Sequence, residues 1–239
     1  MVSGGFVLIG IRELIMKLPE RIQPMKPILF STEMVKAILE GRKTMTRRRV
    51  KDQPDISEDD GYVYFWNKGY AFDIHKWKEE CVIGARYKTG YVLWVRETWC
   101  NDPRGSIDSK SDCYYYKADF FDPDVWKGSW KPSIFMPKEA ARLFLKVTNV
   151  RIERLHDITE EDAIKEGVEM GIHRILKSSK YKNYYDSKNK CGAWYNSPVD
   201  SFVSLWESIN GYGSWIKNPW CWVYEFEKLK EEIKIEKHD

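Results

Sequence analysis

The run Gly41-Arg42-Lys43-Thr44-Met45-Thr46-Arg47-Arg48-Arg49 is the densest concentration of chemistry-bearing side chains in the chain. A glycine turn there presents a lysine, hydroxyls and arginines together at the start of a strand. Cations clustered with threonines at an element boundary hold phosphates and polar base edges. The same composition also suits a solvated strand edge. The formal net charge is only +3 over 239 residues. That excludes the molecule-wide basic field that drives non-specific duplex binding, so any nucleic-acid footprint must be local. Two further groups belong to this inventory. Arg96 and Glu97 form either an ion pair at a sheet rim or two polar groups facing a pocket. Lys131 and Ser133, in the proline-flanked loop Trp130-Lys131-Pro132-Ser133-Ile134-Phe135-Met136-Pro137, are placed to touch a phosphate.

Other chemistries find no support. The five cysteines are scattered and never spaced as C-x-x-C, and the four histidines form no ligand pair at helical spacing. This pattern indicates no zinc site, no disulfide framework and a reducing, cytoplasmic setting. Neither a metal nor a cofactor is indicated, and no Walker loop, GxSxG elbow or Rossmann fingerprint is present. The apolar stretch Phe6 to Ile11 is too short for a membrane span and lacks the flanks of a secretory signal. No membrane partner is expected. Residues 1–24 read as an appended extension before a natural beginning at Met25. The eleven tryptophans and fourteen tyrosines serve either as core or as stacking platforms, and most are assigned to core. Trp94, Trp99 and Trp130 are the stacking candidates.

The elements that must position these residues follow from spacing. Ile28 to Phe30 predicts a strand, and Ser31 caps a helix with its apolar stripe at Met34, Val35, Ile38 and Leu39. Gly41 stops that helix, and a strand runs from Thr44 to Val50. Residues 51–90 read as an insertion with a hairpin across Asn67-Lys68-Gly69. Tyr91 to Trp99 predicts one continuous strand, Cys113 to Lys117 another, and Leu143 to Leu155 a long strand bulged near Thr148-Asn149. Thr159 and Asp162 make a capping box for a short helix ending at Gly167, with Ile158 and Ala163 as its hydrophobic staple. Residues 168–198 read as a long variable loop. Asp200 to Asn210 has helical spacing, Trp220 to Phe226 forms a last strand, and 229–239 is a charged tail. Strands interleaved with short helices, without βαβ regularity, predict an α+β mixed barrel of about six strands.

These pieces resemble the ASCH domain, a compact β-barrel related to the PUA domain of RNA-modifying proteins. The resemblance rests on Ile38 to Arg48, on Gly90-Tyr91-Val92-Leu93-Trp94-Val95, on Ile158 to Gly167 and on Trp222-Val223-Tyr224-Glu225-Phe226. Trp94 to Trp99 and Trp130 to Ile134 are similar to a larger subgroup frequent in phages and prophages. The likeness covers 25–228, with insertions at 51–90 and 168–198. It implies a PUA-like barrel with short flanking helices, and RNA or a modified nucleoside or nucleotide as partner. One branch of the family is an amidohydrolase acting on N(4)-acetylcytidine, and another member has been assigned ribonuclease activity. The branch's Lys, Thr and Glu fall here on Lys43, Thr46 and Glu166, and its following Arg on Arg48. Arg47 stands where the branch has an apolar residue, and this chain is much the longer.

The residues permit that chemistry on conditions. A threonine hydroxyl needs a base, and Lys43 serves if its pKa is lowered, with Arg42, Arg47 and Arg48 supplying like-charge pressure. Lys43 and Thr46 diverge in a regular strand, so they converge only if Lys43 belongs to the turn or the strand is bulged. Thr44, Thr46 and Arg48 share a face. Glu166 ends its helix where the dipole disfavours a negative charge, and a local rule broken there favours a proton donor or an acceptor for a cytosine amino group. Three readings follow: a module binding RNA or a modified base, an amidohydrolase, and a phage-type accessory protein acting by protein contacts.

Overall fold

The computed structural model describes residues 25–65, 69–101, 114–120, 129–172, 179–182 and 194–229. The expectations for residues 1–24, for Asn67 and Lys68 at the hairpin turn, for much of the loop 168–198 and for the tail beyond 229 lie outside that range. In chain order the elements are β1 (Met25–Leu29), α1 (Thr32–Leu39), β2 (Met45–Arg49), β3 (Asp55–Ser57), β4 (Tyr62–Phe65), β5 (Tyr70–Asp73) and α2 (Trp77–Glu80). There follow β6 (Val92–Arg96), β7 (Trp99–Asn101), β8 (Tyr114–Tyr116), β9 (Phe144–Arg154), α3 (Glu160–Lys165), β10 (Met170–Ile172), β11 (Ser179–Lys182), β12 (Trp194–Tyr195), α4 (Pro198–Asn210) and β13 (Trp220–Lys228).

The fold is a mixed α+β arrangement organised by a five-stranded sheet of order β1-β6-β9-β13-β2. β1 and β6 run parallel, and the other neighbours are antiparallel. The two longest strands, β9 and β13, form the spine. Their register slips between Glu225 and Phe226, where Asn149 and Val147 are the successive partners and Thr148 is extra. The bulge expected near Thr148 is present. Among the described residues no backbone ladder joins β1 to β2, so the expected closed barrel of about six strands is not seen. One side chain spans the gap: Arg48 Nη2 donates to the Leu29 carbonyl at 2.7 Å.

Local sequence explains the elements around the gap. Ser31 Oγ accepts from Met34 N and caps α1, whose Met34, Val35, Ala37 and Ile38 are buried. Met34, Val35 and Ile38 pack with Leu93, Val95, Leu145, Val147 and Tyr224 in the main core. Thr159 Oγ1 accepts from Asp162 N and caps α3. The other half of the expected capping box is diverted, because the described bonds of the Asp162 carboxylate go to Arg47 and Arg151. Ser197 caps α4 with Pro198 in the first turn, starting that helix earlier than Asp200.

Two sequence expectations change, and a third, the hairpin within residues 51–90, holds with additions. The predicted strand Tyr91 to Trp99 is broken after Arg96, because Glu97 turns inward to Arg142 while Trp99 pairs with Tyr116 and Lys131. Residues 168–198, expected to be loop, contain a small sheet of order β10-β11-β12. It is held where the Trp194 ring lies against Gly171, a contact that leaves no room for a Cβ. Residues 51–90 fold as the sheet β3-β4-β5 plus α2, with Val63, Phe65, Trp77 and Cys81 packing on Val50, Ile152 and Trp220.

Gly167 combines a φ of +89° with the tightest surroundings near the basic run: a Cβ there would meet Lys43 Cβ at 2.8 Å and Ala37 Cβ at 3.0 Å. Strain and overlap together cost about 3 kcal/mol. Gly167→Ala is therefore expected to lower unfolding stability by about that amount in urea denaturation, and an unchanged midpoint would mean that the close approach is not a constraint.

Candidate functional site

The turn after α1 decides where Lys43 points. Glu40 caps the helix, Gly41 takes a φ of +77°, and the amides of Arg42 and Lys43 both donate to Ala37 O, at 2.9 and 3.0 Å. Thr44 N then donates to Lys165 O, and Thr44 O accepts from Phe226 N, each at 2.9 Å. Lys43 thus belongs to the turn, and the strand begins only at Met45. This is the arrangement under which Lys43 and Thr46 can share a site.

Lys43 Nζ donates to Glu166 Oε2 at 2.9 Å and to the Glu166 carbonyl at 2.7 Å. Both residues are 3% exposed. Glu166 is the C-cap of α3, so the Lys43 ammonium counters the dipole that disfavours its charge. On the other side Arg47, also buried, reaches Asp162 at 2.5 Å and Glu153 at 3.1 Å. Its Nη1 lies 3.5 Å from Glu166 Oε1, an ion pair without a hydrogen bond. Arg151 extends the network to Glu153, Asp162 and Glu225. Burial pulls the Lys43 pKa below its ordinary value; Glu166 opposes the shift through charge and hydrogen bonding, and Arg48 and Arg47 add to it. The like-charge pressure expected from the arginines is present, from Arg48 and Arg47, but secondary to burial.

A cavity of about 350 Å³ opens beside this pair. Lys43, Thr46, Arg47, Arg48, Ser133 and Glu166 all line it, together with Phe30, Thr98 and the α4 residues Phe202 and Trp206. The Arg48 guanidinium lies 5.2 Å from the centroid of the Phe30 ring, and the Lys43 ammonium 5.7 Å. Three buried polar atoms on the lining residues have no hydrogen-bond partner among the described residues: Arg47 Nε, Glu166 Oε1 and Trp206 Nε1. A second cavity of about 670 Å³ adjoins the first and shares Leu29, Arg48 and Arg49 with it. Burial also lowers the Arg48 pKa, against opposing contributions from Tyr87, Glu166 and Tyr224.

The remaining sequence-predicted residues divide. Arg42 donates to Glu40 and to the Gly167 carbonyl, which pins the turn rather than offering a ligand contact. Thr44 is exposed and acts through its backbone. Arg47 reaches the cavity, but its charge is met by carboxylates. Arg96 does not pair with Glu97: it donates to the carbonyls of Ile134 and Met136 and lines the larger cavity. Glu97 is buried against Arg142 with hydrogen bonds of 2.9 and 3.0 Å, and burial pushes its carboxyl pKa up against that pairing. Lys131 lies over the Trp99 ring, outside both cavities. Trp94 and Trp99 are buried, and Trp130 stacks edge-on against Phe120, so none of the three is a platform in either cavity.

Sequence reasoning missed Trp206, Asp162 and Glu153 as site residues. Asp162 and Glu166 stand four apart on one helix, a spacing that places two acids on one face and that carried the signal. Among the described residues no cluster of three or more metal-ligating side chains is present, and no helix is long and apolar enough to cross a membrane. No protein-family model matches the chain, and no curated protein or solved structure is significantly similar to it.

Removing one member of a buried pair strands the other charge. Lys43→Met and Glu166→Gln are each expected to cost 3–5 kcal/mol of stability, roughly, with the double variant costing clearly less than their sum in a double-mutant cycle. A lowered lysine pKa means that the unfolded chain holds more protons between the folded value and 10.5. Lys43 therefore penalises the fold at low pH, and the penalty is relieved as pH rises through that window. Urea denaturation from about pH 8 to pH 10 should show a rising stability contribution in the native protein that Lys43→Met lacks; equal pH dependence in both would contradict it.

Proposed function

We propose that the protein binds RNA or a modified nucleotide as an ASCH-type domain, a PUA-like barrel left open between β1 and β2, whose smaller cavity takes one nucleobase. The observation that carries this reading is a pair of buried atoms on residues lining one cavity: Glu166 Oε1, an acceptor ion-paired with Arg47 but without a hydrogen bond, and Trp206 Nε1, a donor without a hydrogen bond among the described residues. A carboxylate oxygen accepts a hydrogen bond and an indole nitrogen donates one. The cytosine edge offers an amino donor beside ring acceptors and meets both. Each such atom costs about 1–3 kcal/mol while unsatisfied, which favours a ligand that satisfies them. Phe30 and Phe202 supply apolar walls, and Arg48 adds a cation beside them. A volume of about 350 Å³ suits a small ligand.

The amidohydrolase reading has one observation in its favour, the lowered pKa of Lys43. In that mechanism neutral Lys43, held by Glu166, takes the Thr46 hydroxyl proton, the oxygen attacks the acyl carbon of an N(4)-acylated cytidine, Lys43 returns that proton to the leaving amine, and water then releases the acyl group from Thr46. The bonding favours binding over turnover, because the described hydrogen bonds of Lys43 go to Glu166 and none joins it to Thr46.

Two outcomes test these readings. Fluorescence titration with a short single-stranded RNA should show affinity falling with salt, and Arg48→Ala should weaken binding about tenfold and reduce the salt slope by about one. Salt-independent binding unaffected by that substitution would place the contact surface elsewhere. Thr46→Val deletes a hydroxyl while keeping shape, so cytidine affinity should drop only a few-fold, about 1 kcal/mol, and native protein should release no acetate from N(4)-acetylcytidine. Turnover lost in Thr46→Val would make the hydrolase reading primary.

A further inference from the structure

We infer that the larger cavity is a second subsite for the adjoining nucleotide of a single strand, so that the ligand is a polynucleotide threaded past Arg48 rather than a free nucleoside. This rests on the reading that the smaller cavity takes a base. The two cavities meet at Leu29, Arg48 and Arg49, in the gap between β1 and β2. Arg48, anchored on the Leu29 carbonyl at 2.7 Å, stands between them. A phosphodiester linking bases in the two cavities would pass that guanidinium.

The walls of the larger cavity suit such an occupant by charge and by surface. Arg48, Arg49, Arg86, Arg96 and Lys51 line it against one carboxylate, that of Asp52. No ion pair within 4 Å among the described residues engages the four arginines, and the hydrogen bonds of Arg96 go to neutral carbonyls. A cationic rim of this kind is complementary to a phosphate. Phe72 and Trp222, both half-buried, supply aromatic surface, on which a base of any identity can stack, with Phe65, Tyr87 and Tyr224 buried behind them. Phe65, Phe72, Ile83 and Arg86 come from residues 51–90, so the insertion has a function in this reading. It builds the second subsite beside the first. Ile83 is 76% exposed, a cost that a stacked ligand would offset.

The test is calorimetric titration of the full chain with cytidine and with the dinucleoside monophosphates CpU and UpC. At least one dinucleotide should bind about tenfold more tightly than cytidine. That gain should vanish in Arg86→Ala and in Ile83→Asp, two exposed positions outside the smaller cavity, while cytidine affinity stays within about twofold of native. Dinucleotides binding no more tightly than cytidine, or a gain indifferent to both variants, would overturn the second subsite and leave the first standing. Failure of cytidine and both dinucleotides to bind would overturn both.

Discussion

The buried contact between Lys43 and Glu166 is the constraint on which the site depends. It joins two segments distant in the chain, the turn that ends α1 and the cap that ends α3, through a hydrogen bond to a side chain and another to a backbone carbonyl. Thr44 N on Lys165 O fastens the same two segments a residue away. Gly167, with no side chain, lets the backbone come within contact distance of Lys43. A buried ion pair of this kind adds little net stability over an apolar pair, and its removal by halves is what costs most. Its value here lies in position: it fixes a carboxylate with one oxygen hydrogen-bonded and the other buried without a hydrogen bond, on a residue that lines the same cavity as Thr46.

That arrangement divides the basic run by function. Arg47 points into a network of Glu153, Asp162 and Glu166 and is neutralised there. Its neighbours Thr46 and Arg48 line the cavities from the alternate strand positions, opposite Tyr224 and Trp222 across the β2–β13 ladder. Strand alternation turns one cationic sequence into a structural half and an accessible half. The accessible half lies where the sheet leaves an edge, and an edge without a backbone partner is where a ligand can enter. Arg48, lying between the two cavities, is the residue on which affinity and salt dependence converge in this account.

Much of this was legible from local signals. Ser31 and Thr159 announced two helices, Gly41 and Gly167 their ends, and the slipped alternation at Thr148 a bulge, because caps, positive φ and strand period are properties of a few neighbouring residues. The grouping of Lys43, Thr46 and Glu166 came from a family resemblance, and the turn geometry that Lys43 requires follows from Gly41. Partner choice was not legible. Nothing local says that Glu97 pairs with Arg142 and not with Arg96, that Arg47 is consumed by acids 106 and 115 residues away, or that Asp162 leaves its capping box to meet it. Trp206 read as one more apolar position in a helical stripe, since periodicity reports which face is buried and not what its indole nitrogen meets.

The central claim is that the cavity beside the Lys43–Glu166 pair receives a nucleobase whose edge satisfies Glu166 Oε1 and Trp206 Nε1. The indole N–H resonances of a ¹⁵N-labelled sample report this directly. Trp99 and Trp220 also carry buried, unpartnered indole nitrogens, but they lie outside the lining of the smaller cavity and serve as internal controls. On titration with cytidine the Trp206 indole signal should move downfield and saturate, while those of Trp99 and Trp220 stay in place. A Trp206 signal that is unmoved at saturating cytidine, or that moves no more than the two controls, would contradict the account.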